Sequence, residues 1–483
     1  MTTIMELREL MWGPSAVYES EEEVRWMKED FRFCSQESSG PMWGLIQSHG
    51  GPCGVLAPVQ ARIVSRILPS LDSPLSTDAS NRLLSSILAE MLLMTTESLD
   101  DKIWLIDAAL VTATSASNPL QSTQVHRDEL EATIVPFLSQ SRHGVLSFVY
   151  SMILTRQPSR LKQDMDDNGG SLTMGEFGHG TQELLNLMLT GRATSNAFDG
   201  VVPMGDTGLV LRGVMDRPRI GYLTQLEALR YCAVGSYYKT PLAPVWVLGS
   251  SSHFTVLFST DASLVQESTS DALLARVQRA FKHFDTMESG FILLDNLVEC
   301  LRTLQVDEGI LSNQYQMGRL FAKIEVPGAG IVLWEDFWRV VSILLDTKDL
   351  QQALTGKVEP STRPRSDSDI ARELQAQFDN EGTASSGPPP TPAPAKPLPM
   401  EEESFRKVVF HHYNGLVTTT NPVPRLVAFD AQIPSRNVVG YSVPLVDTSQ
   451  SSGGLGCPIE DVLRTKWPGI EINWRGQTPP RLD

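Results

Sequence analysis

Apolar positions recur at helical spacing over much of the first 350 residues. Ser20 and Glu23 form a capping-box pattern, and apolar residues then return every three or four positions, which predicts a short helix. Between about 80 and 195 the apolar residues again recur at spacings of three and four, as in the stripe that a packed helix buries. The same pattern covers 271–350. These parts of the chain are therefore predicted to be mainly helical.

Two other segments show the patterns of β-strands. Residues 207–262 contain continuous apolar runs typical of buried strands, with a predicted helix at about 224–234 between them. Residues 404–478 show β-like alternation with aromatic residues and short turns. Residues 351–403 are Pro-rich and lack apolar periodicity, which predicts an extended, solvated linker. The combination predicts an α+β fold that is interrupted by a helical segment and a linker.

Composition narrows the class of protein. The chain has 483 residues, of which 41% are hydrophobic and 20% charged, as in soluble globular proteins with more than one core. Its 40 basic and 57 acidic residues give a net charge of −17, which disfavours nucleic acid as a partner because Lys and Arg neutralise phosphates. No signal-peptide pattern and no apolar run of membrane-spanning length is present. We therefore expect no membrane partner and a location in the nucleus and cytoplasm.

One of the five cysteines has a distinctive setting. The cysteines are odd in number and widely spaced, which argues against a disulfide scaffold, and we expect no metal and no cofactor. Cys53 follows Gly50-Gly51-Pro52 and precedes an amphipathic run, so its thiol is predicted at a helix start, where amides and the helix dipole favour thiolate. Gln47 could donate to a developing oxyanion. A buried structural cysteine is the alternative interpretation.

The candidate base is His253, which opens an apolar run typical of a strand. A histidine at a strand edge, after the cysteine in the chain, takes the place of the base in papain-like proteases. Asn414 is a candidate to orient His253, because Cys, His, Asn is the order in papain. An Asn before Gly also commonly marks a turn. Asp261 is the next candidate for the orienting role.

Several segments together resemble one family. WGLIQSHGGPCGVLAPVQ, LTGRATSNAFDG, LGSSSHFTVLFS and the C-terminal LRTKWPGIEINW are similar to the MINDY family of deubiquitinases, in the branch with an EF-hand-like insertion. The resemblance implies a papain-like fold, hydrolysis of isopeptide bonds, and a preference for lysine-48-linked polyubiquitin. It assigns the nucleophile to Cys53, the base to His253 and the oxyanion donor to Gln47. The expected partners are polyubiquitin and ubiquitinated proteins.

The expected organisation has four parts. Residues 1–270 are expected to form the N-terminal part of the papain-like catalytic domain, and residues 404–483 a β segment that completes it. A helical EF-hand-like pair occupies 271–350, and the disordered linker occupies 351–403. Within the linker, residues 366–378 have an acidic start and an apolar face, as short ubiquitin-binding helices do, although such short patterns also recur by chance.

The EF-hand-like loops depart from the calcium-binding pattern. The first loop keeps Asp285 at its first position and Gly290 at its sixth, but Met287 occupies the third position and Asn296 replaces the final bidentate Glu. The second loop has Pro327 where an oxygen ligand belongs. We expect the pair to keep its shape, to bind no calcium, and to act in packing or partner binding.

Two other functions are compatible with these patterns. The first is a catalytically silent adaptor that binds ubiquitin through the helical pair and the short linker helix, and such a protein would show no thiol reactivity. The second is a thiol hydrolase that acts on another ubiquitin-like tail. A ubiquitin probe with a C-terminal electrophile separates the first from a deubiquitinase, and a panel of ubiquitin-like tails separates the second.

Overall fold

The structure is a computed structural model in which most of the chain is described. The described residues are 2–14, 20–35, 40–71, 75–112, 120–141, 143–174, 178–204, 208–266, 269–285, 289–355, 405–419, 421–434 and 457–482. Met287, the predicted helix at 366–378 and most of the predicted linker lie outside these residues.

The described residues combine helices with one larger sheet and several two-stranded ribbons, which confirms the predicted α+β class. The helices are α1 (Ile4–Trp12), α2 (Glu21–Met27), α3 (Cys53–Ile67), α4 (Thr77–Leu93), α5 (Ala108–Thr112), α6 (Leu130–Ser141), α7 (Gly144–Arg156), α8 (Pro158–Asp164), α9 (Gln182–Thr190), α10 (Gln225–Ala228), α11 (Ser236–Lys239), α12 (Thr269–Phe284), α13 (Leu297–Thr303), α14 (Glu308–Leu311), α15 (Gln314–Ile324), α16 (Trp334–Thr347), α17 (Leu350–Thr355) and α18 (Pro458–Arg464). The strands are β1 (Arg32–Phe33), β2 (Leu45–Ile46), β3 (Ile103–Leu105), β4 (Thr123–Val125), β5 (Thr173–Met174), β6 (His179–Gly180), β7 (Val201–Pro203), β8 (Val210–Arg212), β9 (Gly221–Thr224), β10 (Val245–Gly249), β11 (Phe254–Phe258), β12 (Phe291–Leu293), β13 (Ile331–Leu333), β14 (Phe405–Asn414), β15 (Arg425–Pro434) and β16 (Glu471–Asn473). Within the described ranges, no helix has both the length and the apolar character that crossing a bilayer requires.

Helix ends follow local residue chemistry. Ser20 precedes α2, and its hydroxyl accepts a hydrogen bond from the Glu23 amide at 3.3 Å, so the helix predicted there is confirmed. The helix predicted at 224–234 is wrong in length, because α10 ends at Ala228. Arg230 adopts a left-handed backbone conformation, with φ of 65°, which an α-helix does not accommodate.

The larger sheet has six strands in the order β16, β15, β14, β11, β10 and β9. β9 and β10 are parallel, and all other neighbours in the sheet are antiparallel. β11 pairs with β14, with Val256 opposite Tyr413 and Phe258 opposite His411. The C-terminal segment therefore enters the same sheet as the strand that follows His253.

Both faces of this sheet are covered. Along β10, Val245 and Val247 belong to one hydrophobic core, whereas Trp246 and Leu248 belong to a second core. In the first core α3 packs on β10 and β11. In the second core Trp467, which follows α18, packs edge-on against Trp246 with ring centroids 5.3 Å apart. Burial on both faces explains why β10 is a continuous apolar run in the sequence.

The chain divides into two compact units. The first contains the described residues up to 275 together with those from 405 to 482. The second contains 276–285 and 289–355. In the second unit β12 and β13 pair through Ile292 and Val332. The functional domain boundaries given above stay a prediction.

The helical unit extends further than the sequence predicts. Leu350 and Ala353 on α17 are buried, and Arg319 donates a hydrogen bond to the Gln351 side chain at 2.9 Å. These contacts make α17 part of the packed unit. Residues 351–355, which the sequence pattern assigns to the linker, therefore lie in a helix of this unit.

Candidate active site

Cys53 is the first residue of α3 and is almost completely buried. Gly51 precedes it with φ of 118°, a conformation that favours glycine, and a side chain there would collide with Trp26. The Cys53 Sγ lies 3.7 Å from the Gly51 carbonyl oxygen and 4.0 Å from the Ser252 carbonyl oxygen. The thiol is thus close to the residue that precedes His253.

Burial raises the pKa of the Cys53 thiol to about 11, because a thiolate at this position loses its hydration. Contacts with the backbone of Phe254 and Gly54 act in the opposite direction but do not offset the burial. In this conformation burial therefore outweighs the effect that the sequence predicts for the helix start. The contact with Phe254 also places the thiol next to both residues that flank His253.

His253 lies directly before β11 and is buried. Its amide donates a hydrogen bond to Ser250 Oγ at 2.9 Å, within the turn between β10 and β11. Its Nε2 lies 3.0 Å from Oδ1 of Asn414, the last residue of β14. The same oxygen accepts a hydrogen bond from the Leu416 amide at 2.9 Å, so it is an acceptor and the imidazole proton is on Nε2. The lone pair that a general base uses is then on Nδ1.

Asp261, the other candidate to orient His253, makes different contacts. Its Oδ1 accepts a hydrogen bond from the Ser263 amide at 3.0 Å, and its Oδ2 forms an ion pair with Arg406. The structure brings His253 together with Asn414 and holds the Asp261 carboxylate in this separate cluster.

Gln47 is buried on the segment that leads to the glycine turn. Its backbone amide donates to the Gly415 carbonyl, and its own carbonyl accepts from the Val417 amide, both at 2.9 Å. These bonds hold Gln47 against the segment that follows Asn414. Its side-chain Nε2 donates one hydrogen bond, at 2.7 Å, to the His49 carbonyl oxygen. An amide nitrogen carries two hydrogens, so one remains for another acceptor.

Two buried ionisable groups close to these residues were not predicted. Glu29 accepts hydrogen bonds from the Ser48 amide at 2.9 Å and from the His49 ring at 2.6 Å. His412 lies on β14, and burial together with the nearby His253 lowers the pKa of its imidazole to about 3. No local pattern identifies either group, because packing alone makes them neighbours of the site.

The described residues contain no candidate metal site and no disulfide. In those parts of the chain, no group of three or more His, Cys, Asp or Glu side chains is placed to hold a metal ion. All five cysteines are free thiols. A buried thiol at a helix start, next to the two residues that flank a histidine whose imidazole contacts an amide oxygen, fits the arrangement of a cysteine hydrolase.

Comparison with known proteins agrees with this class. Residues 8–275 match the family described as "Deubiquitinating enzyme MINDY-3/4, conserved domain". Ubiquitin carboxyl-terminal hydrolase MINDY-3 of Mus musculus is 29% identical, with 99% of each chain aligned, and that of Homo sapiens is 28% identical with the same coverage. Probable ubiquitin carboxyl-terminal hydrolase MINDY-4 of Homo sapiens is 33% identical over 55% of this chain and 37% of its own length. No solved structure gives a significant match.

The chain therefore belongs to the MINDY-3/4 family of deubiquitinating enzymes. It is a deubiquitinase of the cysteine type, and the resemblance that the sequence motifs carry is confirmed.

Proposed function

We propose that the protein hydrolyses polyubiquitin through a thioester on Cys53, with His253 as general base and general acid. The observation that carries this proposal is the position of the Cys53 thiol beside Ser252 and Phe254, the two residues that flank His253. Asn414 orients the imidazole through the 3.0 Å contact with Nε2. The lone pair on Nδ1 then receives the thiol proton.

The reaction has two halves. First, His253 takes the proton of Cys53, and the thiolate attacks the carbonyl carbon of ubiquitin's terminal glycine. The oxyanion accepts hydrogen bonds from the Gln47 side chain and the Cys53 amide. His253 then protonates the leaving lysine amine as the C–N bond breaks, which leaves a thioester. Water next gives a proton to His253 and attacks the thioester carbonyl. As the C–S bond breaks, that proton passes from His253 to the sulfur, and the new carboxyl group of ubiquitin loses its remaining proton to solvent.

A papain-like arrangement is the fold that we assign to the catalytic unit. The supporting observations are the chain order Cys53, His253, Asn414 and the packing of α3, which carries the thiol, against the sheet that carries the other two residues. The contact between the imidazole Nε2 and an amide oxygen also fits a cysteine protease in which Nδ1 serves the thiol.

We assign 271–350 to an EF-hand-like pair that binds no calcium. The antiparallel pairing of β12 and β13 supports a two-loop unit. The carboxylate of Asp285 accepts hydrogen bonds from the amides of Ser289 and Gly290 at 2.8 and 2.7 Å, so it already has partners within its loop. Pro327 supplies no side-chain oxygen in the second loop. We propose a packing or partner-binding role for this unit.

Polyubiquitin linked through lysine 48 is the proposed substrate, with ubiquitinated proteins as partners and the nucleus and cytoplasm as the location. The linkage preference rests on the family resemblance of the sequence motifs. The net charge of −17 supports attraction of ubiquitin's basic C-terminal tail to the protein.

A ubiquitin probe with a C-terminal electrophile tests the proposal. We expect it to label the full-length protein at Cys53 and to leave Cys53→Ala unlabelled, with Cys232→Ala, which removes an exposed thiol, as the matched control. Peptide mapping that finds the adduct at another cysteine would refute the assignment. Absence of any adduct favours the adaptor, and faster reaction with another ubiquitin-like tail favours the second alternative. A panel of di-ubiquitins tests the linkage, and equal cleavage of all linkages contradicts it.

A further inference from the structure

Glu29 is a buried carboxyl group underneath the loop that joins Gln47 to Cys53. It follows α2, and its side chain has no solvent exposure. Its Oε1 accepts the hydrogen bonds from the Ser48 amide, at 2.9 Å, and from His49 Nδ1, at 2.6 Å. Its Oε2 is also buried and has no hydrogen-bond partner in the described part of the chain. Burying such a group costs free energy, so a fold that keeps it here gains something from the two bonds to the loop.

The contacts continue from Glu29 to the oxyanion donor. Glu29 contacts the ring of His49. The backbone carbonyl oxygen of the same His49 accepts the hydrogen bond from Gln47 Nε2 at 2.7 Å. Arg32 reinforces the same loop from β1 by donating to Ser48 Oγ at 2.6 Å. A chain of short hydrogen bonds thus runs from a buried carboxyl, through one histidine, to the side-chain amide of Gln47.

We propose that Glu29 and His49 are positioning residues that fix the side-chain amide of Gln47 for the oxyanion, an inference that rests on the proposed function. One Nε2 hydrogen of Gln47 is committed to the His49 carbonyl, and this bond sets the direction of the second hydrogen. A donor that is fixed before the reaction stabilises the oxyanion without having to reorganise. Such groups accelerate the reaction because that reorganisation costs no free energy during the chemical step. Neither Glu29 nor His49 touches the substrate in this scheme.

The ionisation of Glu29 gives the arrangement a pH dependence. Burial raises the pKa of Glu29, and the neighbouring His49, the Ser48 amide and Arg32 oppose this increase without cancelling it. Protonation therefore begins at a higher pH than for an exposed Glu. It weakens the charge-assisted bonds to the loop, so kcat should fall as the pH falls through that raised pKa.

The other ionisable groups near Glu29 are already engaged. Asp30, the next residue, accepts a hydrogen bond from the Gly144 amide at 2.6 Å, and His143 Nδ1 contacts the Met27 carbonyl at 2.5 Å. Through these described contacts, the ionisable side chains that act on the Glu29 carboxyl are His49 and Arg32. Asp30 offers a matched control, because it is a carboxylate one residue away with a partner outside the loop.

Steady-state cleavage of a ubiquitin substrate by the full-length protein tests the inference. Glu29→Ala should lower kcat on the order of ten- to a hundredfold, as small displacements of catalytic groups do, while KM changes less than about twofold. His49→Ala should do the same, and the double variant should be no slower than either single one, because both break one chain of contacts. Glu29→Gln, which keeps the acceptor oxygen, should retain most of the activity but lose the part of the acid-side fall in kcat that protonation of Glu29 causes, so its pH profile should differ from that of the wild type. Asp30→Asn should match the wild type in both rate and pH profile.

Hydrogen–deuterium exchange separates this inference from the proposed function. Peptides covering 47–53 should exchange faster in Glu29→Ala than in the wild type, at unchanged melting temperature, and this readout needs no activity. Unchanged exchange there refutes the positioning role, as does a Glu29→Ala enzyme that is as fast as the wild type. A Glu29→Ala enzyme that is faster than the wild type would mean that the hydrogen bonds from the loop to Glu29 inhibit the enzyme, and it would also refute the positioning role. If the wild-type protein cleaves no ubiquitin substrate, the proposed function is refuted. Hydrogen–deuterium exchange would then still show whether Glu29 holds the loop between Gln47 and Cys53.

Discussion

The reactivity of Cys53 should depend steeply on pH, because its thiol is protonated under ordinary conditions. A pKa of about 11 lies about 2.5 above that of an exposed cysteine. At pH 7.5 the thiolate fraction is then roughly three-hundredfold smaller than in an unhindered peptide thiol. Iodoacetamide reacts with the thiolate only, so its rate at Cys53 should rise about tenfold for each pH increase of one up to about pH 10.

Mass-spectrometric quantification of the Cys53 adduct between pH 6 and 10 measures this rate directly. A cysteine-containing peptide in the same tube is the reference, and its rate should level off near pH 9 as an ordinary thiol ionises. His253→Ala should leave the slope at Cys53 unchanged, since desolvation is the largest cause of the raised pKa. A Cys53 rate that is already maximal at pH 6 to 7 would mean a thiolate–imidazolium pair in the resting enzyme, and the reasoning from burial would be wrong.

Four further predictions concern Gln47, Asn414, the EF-hand-like loops and the C-terminal strands. Gln47→Ala should lower kcat on the order of a hundredfold or more with little change in KM, in steady-state cleavage assays, and an unchanged kcat removes it from the mechanism. Asn414→Ala should lower kcat at least about tenfold, because the Nε2 proton of the His253 imidazole loses its acceptor. The control variant Asp261→Asn should leave kcat unchanged, and equal effects of the two substitutions would contradict the orienting role. Melting temperature and activity should be equal in calcium and in chelator, and stabilisation by calcium contradicts the reading of the loops. A chain truncated at 403 loses β14 to β16 and should be insoluble or inactive, whereas deletion of 356–400 should preserve cleavage; an active truncated protein would contradict the role of the sheet.

The parts of the site that are contiguous in sequence could be predicted from it. Gln47 and Cys53 lie on one short segment whose glycines predict a tight turn, and the apolar run after that segment predicts a helix. The structure has that helix start at Cys53. His253 could be proposed because the strand pattern begins directly after it, and Asn414 because it ends the next strand-like segment.

What the sequence could not supply depends on packing between distant segments. The raised pKa of Cys53 results from burial of its thiol in the folded protein, and no local rule for helix starts contains that desolvation. The choice of Asn414 over Asp261 follows from the register of β11 against β14, which a single sequence does not fix. Glu29 has no motif, because its contact with His49 joins two turns that lie 20 positions apart.

The pairing of β11 with β14 also bears on when the proposed active site can assemble during synthesis. His253 and Asn414 are separated by 161 positions, so a ribosome that adds 5 to 20 residues per second delivers Asn414 roughly 10 to 30 seconds after His253. Until then β11 lacks its neighbour on that side, and the imidazole lacks its acceptor. Cys53, the proposed nucleophile, is therefore synthesised well before the proposed site can be complete. A chain that ends at residue 403 lacks three strands of this sheet, so we expect premature termination there to yield no partial deubiquitinase.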